Sequence, residues 1–224
     1  MKSEQEQLHD GLKELGFEIS PEQSTALLAY LEALDVTNQS FNLTRIPRKD
    51  FVTLHLLDSL TALLAIPSGK PLKIIDVGTG AGFPGVPLAA LLPNAQVSLL
   101  DATSKKVKFA EFTAHESGIT NCKGIHCRAE DLARMNQHRN SYDVVISRAV
   151  APFAKLMQWL MPLAKVGGCV IAMKGTGYEQ EIEGTDALVK QLGGKIDELI
   201  TTPLPGTDIT RHLIIVRKER ATPA

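Results

Sequence analysis

Ile74-Ile75-Asp76-Val77-Gly78-Thr79-Gly80-Ala81-Gly82-Phe83-Pro84-Gly85 decides the fold: an apolar run, a carboxylate, then glycines at alternate positions. Ile74, Ile75 and Val77 suit a strand buried on both faces of a parallel sheet. Glycines directly after such a strand let backbone N–H groups approach a ligand that a β-carbon would push away. Pro84 fits the first turn of a following helix. Strand, tight glycine turn and helix N-terminus together present unpaired N–H groups and a positive dipole end to an anion or nucleotide-type cofactor.

On the C-terminal side of this stretch, strands and helices alternate. Strands are predicted near 73–77, 96–101, 122–127, 142–147, 168–173, 195–202 and 211–218, with helices between most of them. Gly193-Gly194 closes the last long helix, and Pro203-Leu204-Pro205-Gly206 turns the chain into an alternating final strand, making an antiparallel edge. The spacing implies right-handed crossovers and an α/β, doubly wound, mostly parallel sheet.

On the N-terminal side, Pro67-Ser68-Gly69-Lys70-Pro71 is dense in breakers and divides a helical cap, residues 1–70, from the sheet domain, residues 71–224. Leu8, Leu12 and Leu15 recur at helical spacing and Gly16 stops that helix. Ser20-Pro21-Glu22-Gln23 is a capping box with proline at the first helical position, and its helix runs to about Asn38. From about Pro47 a third helix carries Phe51, Leu54, Leu57, Leu60, Leu63 and Leu64 inward.

The 224 residues suffice for one large α/β domain with an appendage. A hydrophobic share of 44% and a charged share of 22% are those of a globular chain, with no apolar run long enough to span a membrane. The polar, acidic start Met1-Lys2-Ser3-Glu4-Gln5-Glu6 lacks the pattern of a secretory signal, so a cytoplasmic protein is expected. Cys122, Cys127 and Cys169 lack paired C-x-x-C spacing, which argues for small buried side chains and no metal. The net charge of −1 excludes indiscriminate nucleic-acid coating but leaves room for a local basic face.

In a doubly wound sheet ligands sit at the carboxyl ends of the strands. Four such ends carry polar groups: the glycine loop, Asp101, Arg128-Ala129-Glu130-Asp131 and Ser147-Arg148-Ala149. Asp101, 21 positions beyond Gly80, is placed to accept from both hydroxyls of a ribose. Gly80-Ala81-Gly82-Phe83-Pro84-Gly85 also satisfies the dinucleotide G-x-G-x-x-G pattern, so a nicotinamide cofactor competes with S-adenosylmethionine. Asp76-Val77-Gly78 favours S-adenosylmethionine: an acid there can meet the ammonium of the methionine part, whereas a pyrophosphate would be repelled. Glu130 or Asp131 can accept from an adenine amino group.

Asn42-Leu43-Thr44, His55-x-x-Asp58-Ser59-Leu60, the glycine loop ending Phe83-Pro84-Gly85, Ser147-Arg148-Ala149, Lys174-Gly175 and Arg211-His212-Leu213 together resemble one family. They are similar to the bacterial small-subunit (16S) ribosomal RNA guanine-N7 methyltransferases, also called the glucose-inhibited division protein B family, from about residue 20 to 218. The resemblance implies a class I, Rossmann-like methyltransferase sheet, S-adenosylmethionine, and a guanine in 16S ribosomal RNA or the small ribosomal subunit as substrate. Carried over by position, the cofactor contacts would be Gly78, Phe83, Ala129, Glu130 and Arg148, to which the loop pattern adds Gly80 and Gly82 and the strand ends add Asp101. His55, Asp58, Lys174 and Arg211 would line the substrate side, with Asp58 and Arg148 as catalytic candidates. The family usually places a tryptophan and a lysine around the residue matching Asn38, where this chain has Thr37 and Gln39, and an arginine where it has Leu54. These departures lie in the cap and bear on substrate docking.

Each candidate also has an ordinary explanation. Asp58 can serve a neighbouring turn, His55 can be a packing histidine, Arg148 can pair with Asp143 or Glu130, and Lys174 can simply be solvated. Lys105, Lys106 and Lys108, Arg45, Arg48 and Lys49, and Arg217, Lys218 and Arg220 form an RNA-binding rim if they converge on the cleft, and solvated faces if they scatter. A small-molecule methyltransferase with a helical lid, a nicotinamide-dependent oxidoreductase and a non-catalytic nucleotide-binding module are the alternatives. A monomer is expected.

Overall fold

The computed structural model describes residues 2–148 and 150–223. Two helices open the cap, α1 (Glu4–Glu14) and α2 (Pro21–Asn38), each started by a full capping box on Ser3 and Ser20 respectively. Both satisfy otherwise orphaned N–H groups at the helix start.

The third helical stretch corrects the expectation of a regular helix. It is a composite: a 3₁₀ turn (Arg48–Asp50), a π-helical segment (Val52–Leu57), the short α3 (Asp58–Leu60) and a second 3₁₀ turn (Thr61–Leu64). Hydroxyls compete with the regular ladder here, Ser59 Oγ donating to the His55 carbonyl and Thr61 Oγ1 to that of Asp58. Such wide turns recur at functional sites. Leu54 and Leu64, expected inside, are only partly buried.

The remaining elements are β1 (Lys73–Val77), α4 (Gly85–Leu91), β2 (Gln96–Asp101), α5 (Ser104–Glu116), β3 (Cys122–His126), α6 (Ala129–Leu132), β4 (Tyr142–Arg148), α7 (Phe153–Leu160), β5 (Ala164–Lys174), α8 (Tyr178–Ile182), α9 (Asp186–Gln191), β6 (Gly194–Pro203) and β7 (Thr210–Lys218). The strands form one sheet in the order β3-β2-β1-β4-β5-β7-β6. The four pairings among β1 to β5 are parallel, and β7 runs antiparallel to both β5 and β6. All seven predicted strands form, within a few residues of the expected ends. The long helix before Gly193-Gly194 does not: α8 and α9 are two short helices separated at Gly184, which has φ 71°.

Period-two alternation along the strands separates two cores. Ile74, Val97, Leu99, Val144, Ile146, Ile171 and Leu213 face one side, where they pack with Leu8, Leu12, Leu27, Tyr30 and Leu31 of the cap. Ile75, Val77, Leu100, Val145, Val170 and Val216 face the other, against Phe153, Leu156 and Met157 of α7. The cap thus covers one face of the sheet through a shared hydrophobic cluster, which fixes its residues relative to the strand ends. Among the described residues no helix is long and apolar enough to cross a membrane.

Candidate active site

The glycine loop is held rigid from beneath. Asp76 is fully buried, and its Oδ2 accepts from Thr79 Oγ1 at 2.7 Å and from the Gly85 N–H at 2.8 Å. Its other oxygen, Oδ1, has no partner among the described residues. Burial pushes this carboxyl up to about 6, an effect opposed by the bonds from Thr79 and Gly85. Gly78 and Thr79 also donate to the Leu100 carbonyl at 2.8 and 2.9 Å, tying the loop to β2. Asp76 therefore closes the loop internally, and it is Gly78, Thr79, Gly80, Ala81 and Phe83 that line the adjoining cavity.

Loop glycines differ in what they leave room for. Gly80, at φ 59°, has only the Gly78 carbonyl within 4.0 Å of an added Cβ, so its backbone is open to approach. Gly82, at φ 94°, is packed: a Cβ would overlap the Tyr30 hydroxyl and come within 2.8 Å of Val86 Cγ2. Tyr30 uses the space Gly82 leaves to donate to the Ala81 carbonyl at 2.7 Å, a bond from cap to loop.

The cavity has a volume of about 740 Å³ and lies between the cap and the carboxyl ends of β1, β4 and β5. It brings together Asp58, His55, Gly78, Gly80, Phe83, Arg148, Lys174 and Arg211, eight of the predicted site residues. Gly82, Asp101, Ala129 and Glu130 lie outside its lining. Asp101 adjoins it through the loop, accepting from the Gly80 N–H at 3.0 Å and from Thr103 at 2.8 Å. Glu130 is exposed and Ala129 half-buried at the start of α6. Ala149 of the Ser147-Arg148-Ala149 motif lies outside the described residues.

Asp58 is the hub. Its Oδ1 accepts from Arg211 Nε at 2.6 Å, and its Oδ2 from Arg148 Nη1 at 2.9 Å and Arg211 Nη2 at 3.3 Å. Arg148 Nη1 also donates to the Leu54 carbonyl at 3.0 Å, and its guanidinium stands 5.7 Å from the Phe83 ring centroid. Arg148 therefore pairs with the cap rather than with Asp143 or Glu130. Strand register explains the meeting: Arg148 lies beside Met173 and Lys174 opposite His212, so the ends of β4 and β5 and the start of β7 are level. Two guanidinium groups against one carboxylate leave the clamp with one net positive charge.

His55, three positions before Asp58, shares its helix face. It stacks on Phe83 at 4.2 Å with planes 15° apart, and its Nε2 lies 3.0 Å from Thr44 Oγ1. Burial and the neighbouring Arg148 push it down to about 3, so the ring is neutral at neutral pH. Its Nδ1 is buried and has no partner among the described residues. Lys174 is likewise not merely solvated: it donates to the Ala151 carbonyl at 2.7 Å and to Glu181 at 2.6 Å.

Two partners were not foreseen. Thr44 stood in a quoted motif but without a role, and Glu181, which also accepts from the Phe153 N–H at 2.8 Å, carries no local signal. Among the described residues no group of three or more His, Cys, Asp or Glu side chains is placed to hold a metal ion.

The basic clusters do not all converge. Arg48 is bound by Glu4 and lies near Glu32 and Asp35 on the cap, Arg217 pairs with Asp197, and Lys218 is fully buried at the far end of β7. Arg45 lines the cavity, and Lys106 lines the recess beside it.

Comparison with known proteins places this arrangement. The family profile described as rRNA small subunit methyltransferase G matches residues 23–206. The protein named ribosomal RNA small subunit methyltransferase G from Alkaliphilus oremlandii is 38% identical over 218 residues, covering 97% of this chain and 91% of that one. Its namesake from Halalkalibacterium halodurans is 39% identical over 213 residues, with 95% and 90% covered. Among solved structures, a ribosomal protein L11 methylase from Lactobacillus delbrueckii subsp. bulgaricus superposes with a TM-score of 0.55 at 18% identity, over 80% of this chain and 83% of that one. That last likeness shows a shared methyltransferase fold; the sequence matches, running through cap and sheet alike, show that the chain belongs to the rRNA small subunit methyltransferase G (GidB) family.

Proposed function

We propose that this chain transfers the methyl group of S-adenosylmethionine to N7 of a guanine in 16S ribosomal RNA, within the cavity between cap and sheet. The observation that carries this reading is the meeting, in one cavity, of the glycine loop with the Asp58, Arg148 and Arg211 clamp.

The residues present fit the cofactor. Gly80 leaves backbone open where a β-carbon would stand, and Asp101 spends one bond on each oxygen, keeping acceptor capacity for ribose hydroxyls at the β2 end. Gly78, Gly80, Phe83 and Arg148 would hold it on the cavity side, with Asp101 and the Ala129-Glu130 pair at the nucleoside end. When bound, S-adenosylmethionine supplies an electrophilic methyl group on a sulfonium.

The chain's own residues then have a narrow task. Guanine N7 carries an in-plane lone pair and needs no proton removed, which agrees with a site whose one histidine is held neutral. Alignment of the two reactants supplies the acceleration, and oriented reactions gain about 7–11 kcal/mol in this way. Both Asp58 oxygens are occupied by arginines, so Asp58 acts as a positioning residue that aims Arg148 and Arg211. Phe83, backed by His55, offers an apolar wall. The net positive clamp favours an anionic substrate such as RNA, and RNA binding falls steeply with added salt.

Radiolabelled methyl transfer to protein-free 16S RNA, intact small subunits and small-molecule extracts tests the assignment. N7-methylguanine in an RNA arm is the expected product, and no transfer to any RNA form would refute it. Calorimetry with S-adenosylmethionine against NAD tests the cofactor separately.

A further inference from the structure

Past Thr44 and Arg45 the cavity adjoins a second recess of about 560 Å³, lined by Asn42, Leu43, Thr44, Arg45 and Lys106. Phe41, next in the chain to the lining residue Asn42, is 50% exposed, and Lys105, next to Lys106, has its Nζ 5.2 Å from the Phe41 ring centroid. A large aromatic ring left in water, capped by a cation, is what single-stranded nucleic-acid sites use to stack bases. The segment presenting it is anchored: the Thr44 N–H donates to Asn38 Oδ1 at 2.9 Å, and Thr44 Oγ1 lies 3.0 Å from His55 Nε2. Among the described residues none of Arg45, Lys105 and Lys106 is in an ion pair, unlike Arg48 and Arg217. Their charge is free for an anionic partner.

We propose that Phe41, Arg45, Lys105 and Lys106 form a subsite for a nucleotide flanking the methylated guanine: Phe41 stacks the flanking base, and the three cations hold its phosphates. The occupant is single-stranded RNA. A strand whose target base enters the cavity must continue outward over its rim, and this recess shares Leu43, Thr44 and Arg45 with the cavity. The subsite rests on the RNA methyltransferase reading above.

Filter binding of protein-free 16S ribosomal RNA, with S-adenosylmethionine calorimetry in parallel, tests it. Phe41→Ala is expected to weaken RNA binding about tenfold or more while cofactor affinity and the unfolding midpoint stay at wild-type values. Phe41→Trp retains binding, and Phe41→Leu does not, because stacking needs a ring face. Lys106→Gln lowers the slope of log affinity against log salt by about 0.7, and Phe41→Ala leaves that slope unchanged. Wild-type affinity in both Phe41→Ala and Phe41→Leu overturns the subsite and leaves the methyltransferase reading standing. Weakened binding of intact small subunits with unchanged binding of free RNA also overturns it, pointing to a ribosomal protein as the occupant. A wild-type chain that methylates no RNA form overturns both.

Discussion

Tyr30 is the cap's direct hold on the glycine loop, and a mutant cycle with Gly82 measures it. Tyr30→Phe removes one buried hydrogen bond, 2.7 Å long, and leaves the Ala81 carbonyl without a partner. An orphaned buried acceptor costs about 1–3 kcal/mol, and a chain of this size loses about 2–4 °C of unfolding midpoint per kcal/mol. Gly82→Ala places a Cβ over the Tyr30 hydroxyl and within 2.8 Å of Val86 Cγ2, at a left-handed φ of 94°. Combined with Tyr30→Phe, the hydroxyl overlap is gone, although Val86 and Tyr30 Cζ, at 3.2 Å, remain. The double variant is therefore less destabilised than the sum of the singles, by about 0.5–3 kcal/mol. Urea denaturation followed by circular dichroism gives all four stabilities, and calorimetry reports weakened S-adenosylmethionine binding in Tyr30→Phe. An unchanged midpoint in Tyr30→Phe, or additivity within about 0.5 kcal/mol, would refute the reasoning.

Asp58→Ala strands two guanidinium groups whose side chains are 17% and 23% exposed, and stability falls by about 3 kcal/mol, the low end for breaking a buried pair. Single-turnover methyl transfer falls with it, and an unchanged rate would remove the positioning role. Two buried groups give opposing pH dependences. With Asp76 pushed up to about 6, the folded chain holds a proton that the unfolded chain has released between pH ~4 and 6, so stability falls as pH rises there. With His55 pushed down to about 3, the unfolded chain holds the extra proton up to pH ~6.5, so stability rises with pH. Each slope approaches about 1.4 kcal/mol per pH unit in the shared window. Relative to wild type, Asp76→Asn unmasks the rise and His55→Gln the fall; parallel profiles in denaturant would sink this account. At the far end of the sheet, Lys218 donates to the Met161 and Leu192 carbonyls and to the Thr222 hydroxyl. Lys218→Ala therefore lowers the melting temperature more than Arg220→Ala, and equal shifts would contradict that.

The parts of the fold written in local chemistry were legible. Ser20-Pro21 marks the start of α2 through its own capping bonds, and the apolar run with its glycine stop marks β1. The π-helical turn at Val52–Leu57 was not, because its leucine pattern is equally that of an ordinary helix. The same division holds at the site. Gly78, Gly80 and Phe83 follow from one contiguous motif, and His55 and Asp58 from another. The joining of Asp58 to Arg148 and Arg211 spans 90 and 153 positions and exists only through the sheet order. Asp76 shows the converse: it was expected to meet the ammonium of the cofactor, yet complete burial turns its carboxylate inward to the loop and leaves it outside the cavity lining.

The placement of β7 between β5 and β6 also sets an order of assembly during synthesis. β6 emerges before β7 but has no partner of its own in the sheet until β7 arrives. Arg211 stands at the beginning of that later strand, while Asp58 lies in the first third of the sequence. Until β7 inserts, the strands that carry the glycine loop can pair with one another, while the charged clamp has Asp58 and Arg148 but lacks Arg211.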